Sequence, residues 1–182
     1  MVDALTTTLK SSVAGTFINT LTDSGGSVSV LLEKVLTLAT TDGTTTDKAD
    51  KIWSSTARTL TGATSENIDV YDFGTIDIGT GAGEDALGNP VTLADIVAVL
   101  IENNSTSTGN LSIGGEGSIA AWNSPFDASD TASLGPIPPG GWFMLCSGND
   151  PAFPVADTSN HLLKITSTAN LTYDIYIIGR SA

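Results

Sequence analysis

Leu171-Thr-Tyr-Asp-Ile-Tyr-Ile-Ile-Gly179, near the C-terminal end of a 182-residue chain, decides the reading of the fold. Leu171, Tyr173, Ile175 and Ile177 recur at every second residue, with Thr172, Asp174 and Tyr176 between them. Successive side chains of a β-strand leave opposite faces, so this period of two predicts a strand with the first set buried and Asp174 exposed. Gly179 is expected to close it.

Working outward, short apolar or alternating runs bounded by Gly, Asn, Asp and Ser recur along the whole chain, while helix-period patterns are scarce. Strands are predicted near Val13–Asn19, Val28–Leu38, Lys51–Leu60, Asn67–Phe73, Asp95–Glu102, Leu111–Gly114, Trp142–Ser147, His161–Thr166 and Leu171–Gly179. Val28, Val30, Leu32, Leu36 and Leu38 fall on one face, interrupted by Lys34, which predicts one buried face for that strand. The run Ile96-Val-Ala-Val-Leu-Ile101 has no alternation. Such a run suits a central strand covered on both faces, and a short buried helix has the same pattern.

The fold class expected is all-β: an antiparallel, jelly-roll-like β-sandwich with long Gly/Pro-rich loops. Residues 13–182 form one domain in this reading, and residues 1–12 form an N-terminal arm. Gly74–Pro90 reads as a long exposed loop, and Trp122–Gly141 as a second irregular stretch. Within it, Pro136-Ile-Pro-Pro-Gly-Gly141 is expected to stay out of a ladder interior, because proline supplies no N–H.

Composition narrows the function. Asp and Glu number 20 against 7 Lys and Arg, a formal net charge of −13. Binding to nucleic acid relies on Lys and Arg replacing counterions along the phosphates, and the basic residues here are few and scattered, so no nucleic-acid partner is expected. Anionic membranes are disfavoured on the same ground. No run has the length of a bilayer-spanning helix, and MVDALTTTLK lacks a basic segment followed by an apolar one, so synthesis in the cytoplasm is expected. The apolar share of 40% is that of a folding chain rather than a disordered one.

The search for chemistry yields mostly absences. The sequence has no phosphate-binding glycine loop, no G-x-S-x-G, no C-x-x-C and no H-E-x-x-H. His161, the sole histidine, stands at the start of an expected strand and is read as a strand-end residue, half solvated. Cys146 alternates with Trp142 and Met144 and is read as a small buried hydrophobe. The acidic, glycine-rich Asp77-Ile-Gly-Thr-Gly-Ala-Gly-Glu-Asp85 has the residue types of a Ca²⁺ loop without a calcium motif's spacing, so no metal and no cofactor are expected. Of the three tryptophans, Trp53 and Trp142 are assigned to core packing. Trp122 is the one expected to be partly exposed, and packing or a subunit contact is favoured there over the platform of a carbohydrate-binding module.

Several short motifs occur in a shared order with a known group. They are Lys51-Ile-Trp-Ser-Ser-Thr-Ala-Arg-Thr-Leu60, Ala86-Leu-Gly-Asn-Pro-Val-Thr-Leu93, Leu111-Ser-Ile-Gly-Gly115, Pro138-Pro-Gly-Gly-Trp-Phe-Met-Leu145, His161-Leu-Leu-Lys-Ile165 and the terminal stretch quoted first. In these the chain resembles small β-rich virion proteins of tailed bacteriophages. The resemblance implies a structural protein of the virion with no enzymatic residues, foremost a capsid decoration (cement) protein on the major capsid lattice. A tail, neck or fibre-associated protein is the alternative. Open strand edges favour pairing with a neighbour, and a homotrimer would match the three-fold positions of an icosahedral shell. Candidate interface residues are Val2, Leu5 and Leu9 of the arm with Trp122, Phe126 and Ile137 of the second irregular stretch.

Overall fold

The computed structural model describes residues 4–20, 27–126 and 131–182. All its regular elements are strands: β1 (Thr7–Thr20), β2 (Ser27–Thr40), β3 (Lys51–Leu60), β4 (Ser65–Asp69), β5 (Leu93–Asn103), β6 (Leu111–Gly114), β7 (Ser133–Ile137), β8 (Trp142–Cys146), β9 (Phe153–Pro154), β10 (Leu162–Ser167) and β11 (Leu171–Ser181).

Nine of them build two antiparallel sheets. One has the order β3-β11-β5-β8, with β9 pairing the start of β5, and the other has the order β4-β10-β6-β7. The pairs β3·β11, β4·β10, β5·β8 and β6·β7 nest inside one another, as if one long hairpin had been rolled up. β11·β5 and β10·β6 then join the nested pairs into sheets.

Alternation places the core between the sheets. Trp53, Ile177, Val99 and Leu145 form one row across the first sheet, and Ile175, Ile101 and Phe143 form the next. The opposing sheet contributes the cross-strand pairs Leu163 with Ile68, Ile165 with Ile113 and Leu111 with Ile137. Trp53 lies flat against Phe73, ring centroids 4.2 Å apart. In the C-terminal strand, Leu171, Tyr173, Ile175 and Ile177 are buried as expected, and β5 is a central strand with Ile96 to Val99 all buried. Over Ile96–Val99, β5 lies between two strands and is buried on both faces, which is why that part of its sequence carries no alternation.

Several expectations are corrected. Asp174 is half-buried rather than exposed, and its Oδ1 accepts the Ala57 N–H at 2.7 Å, where a bulge breaks the β3·β11 register. Gly179 does not close its strand: β11 continues to Ser181 with a register shift at Gly179, where a Cβ would stand 2.6 Å from the Asp95 carbonyl oxygen. Beside that shift Arg180 is buried against its cross-strand partner Asp95. Pro136, by contrast, stays out of a ladder interior as expected: it lies in the short edge strand β7, at the irregularity of its register with β6, with no cross-strand partner. The Gly74–Pro90 stretch is anchored rather than loose, with Ile76 buried in the core and Gly83 N–H donating to the Ile76 carbonyl.

The N-terminal region departs furthest. β1 and β2, 14 residues each, pair along their whole length into a two-stranded ribbon of their own. Leu36, expected on a buried face, is 60% exposed, and its face-mate Leu38 is half-buried; the side chains of Val28, Val30 and Leu32 lie outside the described residues. The connection that follows the ribbon is hydrogen-bonded to the body. Asp47 N–H donates to the Gly148 carbonyl, Asp50 N–H to the Gly179 carbonyl, and Ser181 Oγ to Asp50 Oδ2 at 2.6 Å.

Candidate functional surface

Two polar clusters are buried or nearly so, and both hold the fold together. Arg180 Nη1 donates to Asp95 Oδ1 at 2.8 Å, its Nε to the carbonyls of Thr45 and Lys48, and its Nη2 to the carbonyl of Gly148. One side chain thereby ties the segment after the ribbon and the β8–β9 connection to the sheet. Burial pushes the Asp95 carboxyl above its ordinary range, and the attraction of Arg180 opposes that without cancelling it. In the second cluster Tyr173 donates its hydroxyl to Glu66 Oε1 at 2.7 Å and accepts from Arg58 Nε at 3.0 Å, while Arg58 also bridges to Glu66. Burial and the Glu66 carboxylate raise the Tyr173 phenol far above its usual value. For Arg58, burial works against the charge, but the bond to Glu66 and the proximity of Tyr173 outweigh it, leaving the guanidinium pKa raised. The cluster joins β3 and β11 of one sheet to β4 of the other, and its charges neutralise one another in place.

The acidic loop is self-occupied. Asp77 Oδ1 accepts the Gly79 N–H at 2.7 Å, and Asp85 Oδ1 accepts the N–H groups of Leu87 and Asn89 at 2.8 and 2.9 Å. Burial opposes the Asp85 charge, yet these N–H donors prevail and hold its carboxyl below the ordinary value. Among the described residues no group of three or more His, Cys, Asp or Glu is placed to hold a metal ion. His161 Nδ1 lies 3.1 Å from Asp69 Oδ2, and the side chain is half-buried at the start of β10. No helix among the described residues is long and apolar enough to cross a membrane.

The residues expected at an interface do not come together. Trp122 is 2% exposed, its edge packed on Phe153 and its Nε1 donating to the Pro154 carbonyl at 3.2 Å. It cannot stack on a sugar ring or a subunit. Ile137 is buried as the partner of Leu111, and Phe126 packs partly buried beside Gly114. Leu5 and Leu9 are half-buried, and Val2 lies outside the described residues.

Trp142, assigned to the core, is instead 60% exposed, and Cys146 is exposed too. Phe143 and Leu145 take the inner positions, so Trp142, Met144 and Cys146 stand on the outer face of the five-stranded sheet. The same face carries Leu100 and Tyr176 in one cross-strand row and Ile52 in another. Ile52 is 43% and Tyr176 37% exposed. An open cleft of about 290 Å³ lies between this face and the ribbon, bounded by Lys10, Leu100, Glu102, Trp142 and Met144. The alternation of β8 signalled the grouping of these residues but not their side.

No protein-family model matches the chain, and no curated protein matches it. The fold defines a class, an all-β double-sheet domain with a two-stranded ribbon attached, and its exposed apolar faces are candidate functional features.

Proposed function

We propose that the chain is a structural protein of a bacteriophage virion, a capsid decoration (cement) protein seated on the major capsid lattice as a symmetric homo-oligomer, three-fold in the simplest arrangement. The observation that carries this reading is the pairing of a double-sheet body with two apolar surfaces left exposed, the ribbon around Val13 and Leu36 and the outer face around Trp142. A protein that clamps neighbours in a shell needs a stiff body and low-charge contact faces, with an acidic remainder that keeps crowded copies apart. The order of short motifs shared with small phage virion proteins points the same way, and so does a double-sheet connectivity that recurs in viral capsid domains, although such an analogy concerns fold alone.

The test is localisation in purified phage particles whose genome encodes this chain, by mass spectrometry and then gold-labelled antibody in electron micrographs. Label distributed over the capsid faces is the expected outcome. Label confined to the tail or neck would replace the cement role with a tail role, and particles free of the chain would end the virion reading.

A further inference from the structure

The ribbon is more exposed the further it runs from its base. Thr40 is buried and Leu9 and Leu38 are half-buried near the root, whereas Leu36 is 60% and Val13 73% exposed. Pairing of Ser11 with Leu36 and of Val13 with Lys34 puts Val13 and Leu36 on one face. On the other face Leu31 is 65% exposed, so the distal ribbon is uncovered on both sides. A two-stranded hairpin of this kind is at best marginally stable in water, and its open edges invite pairing.

We infer that the distal β1–β2 ribbon, through Val13 and Leu36, docks on the outer face of the five-stranded sheet of a second copy of this chain, around Leu100, Trp142, Met144 and Tyr176. The inference rests on the reading of the chain as a self-associating assembly protein and assigns that association to a surface.

Charge selects the occupant. Lys10 and Lys34 balance Asp23 and Glu33 within Thr7–Thr40, so the entire formal charge of −13 lies outside the ribbon. Body against body is repulsive, whereas the neutral ribbon can approach an acidic body without that cost. Position agrees. The ribbon root already borders the outer face of its own sheet, where Lys10 shares the cleft with Trp142 and Leu38 lies beside Gly148, yet Trp142 remains open.

Area then selects the geometry. Beyond its half-buried root the ribbon has ten residues in β1, Ser11–Thr20, which span about 33 Å; a face about 10 Å wide then offers roughly 330 Å², so one ribbon on one sheet buries about 660 Å² in total. That falls short of the roughly 1,200 Å² at which standard interfaces begin. A closed arrangement, in which every copy gives one ribbon and receives another, doubles the contact per copy and brings it within range.

Light scattering on the purified full chain at micromolar concentration tests this. Wild type is expected as a closed oligomer. Val13→Asp with Leu36→Asp, and separately Trp142→Asp, should each fall to the 18.6 kDa monomer with an unchanged circular-dichroism spectrum, since all three side chains are largely exposed. Ile119→Asp, exposed elsewhere, should leave the oligomer intact. Mixing the ribbon variant with the sheet variant permits one ribbon–sheet contact without closure, so a two-chain species should form only at concentrations well above those at which wild type is closed. An oligomeric wild type whose mass neither variant changes would overturn the ribbon contact while leaving self-association standing. A monomeric wild type would overturn both.

Discussion

Arg180 satisfies three backbone carbonyls and one carboxylate from a fully buried position, so its replacement by methionine leaves the Asp95 carboxylate without a counter-charge. Removing one partner of such a pair costs about 3–5 kcal/mol. The pH dependence has a definite sign. Asp95 already titrates above its unfolded value near 4, and without Arg180 it titrates higher still, so the folded variant holds a proton that the unfolded chain has released. The deficit of Arg180→Met relative to wild type should therefore be smaller at pH 3.5 than at pH 7 in urea titrations. An equal deficit at both would mean that the carboxylate is not its source. Along β11, Ile175→Asp should abolish folding, since an unpaired buried carboxylate consumes much of the roughly 5–15 kcal/mol that stabilises a domain. Asp174→Asn should be nearly silent because the amide oxygen still accepts the Ala57 N–H, while Asp174→Ala should cost about 1 kcal/mol. Urea midpoints of the three variants distinguish this bond from simple exposure.

At the scale of elements, the ribbon and β11 are opposites. β11 is hydrogen-bonded on both edges, by β3 and by β5, and is buried along one face. The ribbon has only its own two strands. In the ribbon variant Val13→Asp/Leu36→Asp, backbone amides of Ser12–Thr16 and Leu31–Leu36 should exchange with deuterium orders of magnitude faster than those of Tyr173–Ile177. Equal protection would show that the ribbon is stable alone and needs no partner. This element was half legible. Both strands were recognisable from their runs of Val, Leu and Thr, but Val28 to Leu38 was read as one side of the sandwich. An apolar stripe at period two has the same form whether it faces a core or a second molecule.

For the molecule as a whole, the acidic loop gives a simple test. Asp77 and Asp85 are engaged by N–H groups of their own turns, so EDTA should leave the melting temperature unchanged. A drop of many degrees, reversed by Ca²⁺, would contradict this. The all-β class and seven strands of the sandwich followed from the sequence, because period two is a local property that any single strand displays; β7 and β9 were missed for their prolines and their shortness. The side on which a residue falls is not local. Trp142 and Phe143 are both apolar neighbours in β8, and only the pairing of Phe143 with Ile101, some forty residues earlier, turns one ring into the core and leaves the other outside. Trp122 likewise reads as a loop residue until the Pro154 carbonyl, 32 residues on, takes its N–H. Alternation establishes which side chains share a face; the long-range ladders alone decide which of the two faces meets the opposing sheet.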